Sequence, residues 1–175
     1  TLKVTDPFKN HRQEVQRDFE AMAKDFRARL AAAPDPFDLA ARAATAANIV
    51  DALILGKVDY ASEFEAHVET GFASGTIDQL RGAVDGASRI LYLLDNAGEV
   101  YFDALLIEQI RSLGKQVRAV ASGGGLLHDV TAEEAVEAGL GRFVEVLVDV
   151  DAPPASPDPD TMPDLLDTPY GVPGT

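Results

Sequence analysis

Residues 90–94, Ile-Leu-Tyr-Leu-Leu, form an almost unbroken apolar run that stops abruptly at Asp95-Asn96, with Gly98 close behind and a helical pattern after it. Such a run fits a strand covered on both faces, as strands of parallel sheets usually are. The segment reads as strand, tight turn and helix, which commits the second half of the chain to an α/β arrangement. In a parallel sheet this turn lies at the carboxyl end of the strand, in the crevice where open α/β sheets bind ligands. Four acidic or amide side chains, Asp95, Asn96, Glu99 and Asp103, surround it.

The pattern repeats downstream. Residues 99–113 carry Phe102, Leu105, Leu106, Ile110 and Leu113 at helical spacing before Gly114, and 115–121 read as a second strand. A glycine-rich loop runs from Ser122 to Asp129, a short helix is expected over 131–138 up to Gly139, and a third strand over 143–148. The order β-α-β-α-β predicts a parallel sheet with right-handed crossovers, hence a Rossmann-like three-layer α/β core. Upstream, the spacing of Phe8, Val15, Phe19, Met22, Phe26 and Leu30 predicts a helix over 7–33. Asp35-Pro36 opens an alanine-rich helix expected to run to about Leu55, and 60–68 and 77–84 read as two shorter helices, the second capped by Thr76. The chain thus divides into a helical part, 1–88, and an α/β part, 89–175, within one compact unit.

Composition narrows the function classes. With 29 acidic against 15 basic residues the formal charge is −14, which repels nucleic acid and anionic membranes and favours cation binding. Zero cysteines exclude disulfides, zinc–thiolate sites and cysteine nucleophiles, and three scattered histidines argue against a histidine-rich metal site. Any metal needs oxygen ligands. No apolar run has transmembrane length and no signal sequence is visible, so a cytoplasmic location is expected. The start at Thr1 and the loop-like end at Gly174-Thr175 predict a longer parent protein, and 151–160, rich in proline and acid, read as an exposed loop.

Asn96-Ala97-Gly98-Glu99 has the spacing of a capping box, which would explain Asn96 and Glu99 without any ligand. It leaves Asp95 unexplained, since a carboxylate at the end of a buried strand needs a cation or donors. Thr131-Ala132-Glu133-Glu134 has the same spacing and already supplies a cap, so Asp129 is spare; its bland alternative is an ordinary loop carboxylate. Asp95 and Asp129 converge if their strands are neighbours, and with Asn96 they make a ligand set suited to Mg²⁺ or Mn²⁺. The amides around Ala97, Gly98 and Glu99 form a helix N-terminus that favours an anion such as phosphate, and Gly123, Gly124 and Gly125 let backbone approach the same anion. Asn48 and Asp51, three apart in the second helix, share a face: a surface stripe on one reading, a polar cleft on the other. There is no P-loop, no G-x-G-x-x-G fingerprint and no nucleophile elbow.

The two strand-end motifs, Leu-Leu-Asp95-Asn96-Ala-Gly-Glu99-Val-Tyr-Phe-Asp103 and Gly-Gly-Gly-Leu-Leu-His-Asp129-Val-Thr131, resemble in order and spacing those of the damage-control phosphatases, a former domain-of-unknown-function family. Asn48-Ile-Val-Asp51 resembles the family's Gly-Asn-x-Ile-Asp segment with Ala47 in the glycine's place, and the likeness covers roughly residues 6–150. It implies a metal-dependent phosphohydrolase acting on sugar or cofactor phosphates. Asp95, Asn96 and Asp129 would hold a divalent ion (Mn²⁺, Mg²⁺, Co²⁺ or Ni²⁺), with Asp95, Asn96 and Glu99 at the chemistry. Glu99 would lie beside the substrate, and Asn48, Asp51 and Asp103 would be cleft residues. Direct attack by water and a covalent intermediate on Asp95 both stay open. Two features depart from the family: early cysteines are absent, and the chain ends before a Lys-Gly-x-Gly-Asn-like motif whose lysine would face the phosphate. A catalytically silent metal- or phosphate-binding module is therefore the alternative; methyl transfer to carboxylates, a third reading, has no cofactor fingerprint behind it.

Overall fold

The computed structural model describes residues 9–48, 60–122 and 129–149. Helix α1 (Lys9–Ala32) buries Val15, Phe19, Ala23, Phe26 and Leu30 along one stripe, the amphipathic face its spacing predicts. Arg12 and Gln16 lie buried on the same helix. Asp35 caps α2 (Pro36–Ala47) by accepting the Asp38 N–H at 3.1 Å, with Pro36 in the first turn where its missing donor costs nothing. The helix ends at Ala47, not near Leu55 as expected. Asn48 is its C-cap, and its side-chain amide is bonded to carboxylates outside the helix. Asp51 lies outside the described residues. Six alanines of α2 are buried, and such small side chains let its axis come close to a neighbour.

Helices α3 (Tyr60–Thr70) and α4 (Ile77–Gly86) follow. Thr76 caps α4 in a full capping box with Gln79. The α/β part is β1 (Arg89–Leu93), α5 (Val100–Ser112), β2 (Gln116–Ser122), α6 (Ala132–Glu137), a 3-10 turn at Leu140–Arg142, and β3 (Glu145–Asp149). All pairings are parallel and the order is β1-β2-β3, with Leu93 beside Val120 and Ser122 beside Asp149. The α/β class with a parallel sheet is as the alternation predicts.

One expectation fails. β1 was expected to be covered on both faces, but among the described residues it pairs with β2 alone, its central residues are half-buried and its Leu93 is 38% exposed. Ile90 and Tyr92 pack against the core, and Leu94 is buried. Leu91 and Leu93 point to the other face by the two-residue period of a strand. Apolar residues along a run report composition, and coverage depends on what packs above and below.

Phe102 is the hub of the core. Its ring lies 4.5 Å from Phe64, 5.7 Å from Phe26 and 6.2 Å, edge-on, from Phe19. Three rings from α1 and α3 thus clasp α5 in its first turn, which fixes the direction in which the site's helix leaves the sheet.

Candidate functional site

β1 and β2 deliver two turns to the same end of the sheet, and the turns are joined directly. The Val130 N–H donates to the Asp95 carbonyl at 2.8 Å, and Asn96 and Asp129 form an antiparallel backbone bridge. Asp95, Asn96 and Asp129 are therefore neighbours. Asp95 is exposed, Asp129 half-buried and Asn96 fully buried.

Asn48, at the end of α2, ties this turn to the helical half. Its Nδ2 donates to Asp95 Oδ2 at 3.2 Å and to Glu99 Oε2 at 2.9 Å, so one neutral amide holds two carboxylates. Glu99 also accepts from Asn96 Nδ2 at 3.3 Å and from the Asn96 backbone N–H.

Only half of the capping box expected at Asn96 and Glu99 exists. The Glu99 carboxylate reaches back, but Asn96 is not the N-cap: Glu99 occupies that position, with no side-chain cap bond. Asn96 Oδ1 has no hydrogen-bond partner although it is buried. At Thr131 and Glu134 the box is complete: Thr131 Oγ1 accepts the Glu134 N–H at 3.3 Å, and Glu134 Oε2 accepts the Thr131 N–H at 2.9 Å. The same four-residue spacing thus closes at one turn and stays open at the other.

The electrostatics are those of crowded acids. The Glu99 carboxyl is pushed up to about 7, first by burial and then by the charge of Asp95, against the pull of its Asn96 and Asn48 hydrogen bonds. Asp103, one helical turn on and 1% exposed, is driven well above the usual carboxylate range by burial and then by Glu99. Tyr92 donates its hydroxyl to Asp103 Oδ1, while Asp103 Oδ2 is buried without a partner. Burial and the Asp103 charge push the Tyr92 hydroxyl up in turn.

Buried polar atoms are almost always satisfied, so an orphan demands a reason. Asn96 Oδ1 can only accept, and the residues that adjoin it along the backbone, Asp95 and Asp129, carry carboxylates that also accept. A cation answers all three, and oxygen donors of this kind suit a hard divalent ion. Among the described residues no three His, Cys, Asp or Glu side chains form a metal-holding group; the set here is two carboxylates and an amide oxygen.

The other expected site residues fall out variously. Gly98 has a packing reason of its own: a Cβ there would lie 2.9 Å from Val15 Cγ1 and 3.0 Å from Phe19 Cγ, so only glycine lets α1 press on the turn. Asp103 is brought to the site's rear, sealed behind Tyr92. Asp51 and Gly124 lie outside the described residues. Two contributors escaped the sequence reading. Tyr92 looked like one more apolar strand residue. Arg12 is 2% exposed and pairs through Nε with Glu134 Oε1 at 2.9 Å; its signal was the gap in the α1 stripe between Phe8 and Val15, where helical spacing wants another buried residue.

Comparison with known proteins gives one family. Residues 1–157 match the model described as the damage-control phosphatase ARMT1-like domain. A damage-control phosphatase of Pyrococcus horikoshii is 33% identical over 113 residues, 63% of this chain and 39% of its own. One of Archaeoglobus fulgidus is 28% identical over 154 residues, 84% of this chain and 52% of its own. The crystal structure of a DUF89 family protein from Pyrococcus horikoshii superposes with a TM-score of 0.69 at 28% identity, over 82% of this chain and 50% of that one. The chain therefore spans about half the length, or less, of the relatives it matches. No helix among the described residues is long and apolar enough to cross a membrane.

Proposed function

Because the chain belongs to the damage-control phosphatase ARMT1-like domain family, we propose that its strand-end site hydrolyses phosphate esters of small metabolites, sugar or cofactor phosphates, with the help of a divalent cation. The observation that carries this reading is the buried, unpartnered Asn96 Oδ1 at the turn whose backbone joins Asp95 and Asn96 to Asp129. These three oxygen donors would hold the ion. When bound, it supplies a Lewis acid that binds phosphoryl oxygens and neutralises charge developing in transfer.

The chain's own residues do the rest. Asn48 pins Asp95 and Glu99 in place without adding charge, which leaves the site acceptor-rich and ready for a cation. Glu99, whose carboxyl burial and Asp95 raise to about 7 in the metal-free chain, would be the group that gives a proton to a leaving oxygen or takes one from water. Asp103 behind it is buried, and burial raises its carboxyl well above the usual range, which disfavours a second negative charge at the pocket wall. The backbone amides at Ala97 and Gly98, just before α5, would be the donors for the phosphate.

The test is release of inorganic phosphate from a panel of sugar and cofactor phosphates by the full-length protein, with Mn²⁺, Mg²⁺, Co²⁺ or Ni²⁺ added separately. Turnover should require the metal, and Asp95→Ala should lower it by at least about 100-fold. Cation binding without turnover on any ester would leave a binding module in place of an enzyme.

A further inference from the structure

Arg12 stands 122 residues from Glu134, and the two meet in the interior. A buried arginine is costly unless its charge is paired and its donors are used. Here Nε lies 2.9 Å from Glu134 Oε1 and 3.2 Å from Oε2, and the Glu134 Oε2 also accepts the Thr131 N–H at 2.9 Å and the Thr131 hydroxyl at 3.0 Å. The carboxylate that caps α6 is thus the one that α1 grips. One residue before Thr131, the Val130 N–H holds the Asp95 carbonyl, and one residue before that is Asp129. Arg12, Val15 and Phe19 share a face of α1, and the latter two press on Gly98 in the first turn. One helix face therefore touches both turns of the site.

We infer that Arg12 is a positioning residue: by locking Glu134 and with it the Thr131 cap, it holds the turn that carries Asp129 in register with Asp95 and Asn96. This rests on the reading of Asp129 as a cation ligand only for its consequence; the positioning is a property of the metal-free chain. An ordinary stabilising ion pair would affect the whole fold evenly. A positioning pair acts on one junction, and the Val130 amide reports it.

The experiment is amide hydrogen exchange by NMR on the metal-free protein, comparing native with Arg12→Met, and with Arg27→Met as control. Arg27 also pairs from α1, but to Glu108 on α5 with half its side chain exposed. In Arg12→Met the Val130 amide should exchange at least about tenfold faster, while β2 amides such as Ala119 keep their native rate. Arg27→Met should leave Val130 unchanged. Equal acceleration throughout, or no change at Val130, overturns the inference. Should Arg12→Met fail to fold, Arg12→Met/Glu134→Gln removes the uncompensated buried charge and keeps an acceptor for Thr131. Fast Val130 exchange must persist in it; native exchange there means Arg12 merely neutralises Glu134 and the inference falls. A parallel Mn²⁺ titration separates the two readings. Native protein that binds no Mn²⁺ sinks the cation site and leaves positioning to the exchange data, whereas binding that Arg12→Met weakens about tenfold or more supports both.

Discussion

Asn96 decides how the turn is read. A capping box would have spent its side-chain oxygen on the helix, yet that oxygen is buried and unspent while its amide hydrogen goes to Glu99. The motif spacing alone could not separate the two outcomes, because Thr131–Glu134 has the same spacing and closes fully. Glu99 gives the residue scale its pH test. Its folded carboxyl near 7 lies above the usual 4.5, so between those values the folded chain holds more protons than the unfolded one, and stability must fall as pH rises through that window. The loss from Glu99 is on the order of a few kcal/mol at most, and Asp103 acts in the same direction. Urea unfolding of the metal-free protein at pH 5 and pH 8 should therefore show lower stability at pH 8, and Glu99→Gln should reduce that difference, leaving the part that Asp103 contributes. An unchanged difference in the variant would mean that Glu99 is not the group that titrates.

At the scale of elements, the site depends on how closely α1 and α5 approach the turns. Gly98→Ala places a methyl against Val15 and Phe19 and should cost about 1–3 kcal/mol, read as a lower urea midpoint. Phe102→Ala removes the ring on which Phe19, Phe26 and Phe64 converge and should cost about 3–5 kcal/mol by the same measurement. Values near zero would mean that neither contact holds the helices. The elements were largely legible because each had a period and a stop: the α1 stripe, Asp35-Pro36, Thr76, Gly114 and Gly139 all mark real boundaries. The end of α2 was not legible. Alanine runs on through Ala47, and the C-cap residue Asn48 has its side-chain partners in a turn 47 residues away. The half-open faces of β1 were hidden for a related reason, since burial on a sheet is a property of neighbours.

Across the whole molecule, the helical half and the α/β half meet at the site. Asn48 reaches it from α2, Gly98 receives α1, and Arg12 crosses to Glu134, so residues far apart in sequence set the spacing of Asp95 and Asp129. The convergence of the two strand ends was readable from β-α-β order, because parallel neighbours bring their carboxyl ends together. The supports were not, because a lone asparagine or arginine in a helix carries no local mark of its distant partner. A formal charge of −14 suits a chain that gathers carboxylates at one place, provided a cation offsets them. The most direct measurement is calorimetric titration of the native chain with Mn²⁺, alongside Asn96→Ala, Asp129→Ala and Glu133→Ala. The native chain should bind one divalent ion, and Asn96→Ala and Asp129→Ala should weaken that binding by at least about tenfold while Glu133→Ala leaves it intact. Equal affinity in all four proteins, or no binding by the native chain, would contradict this.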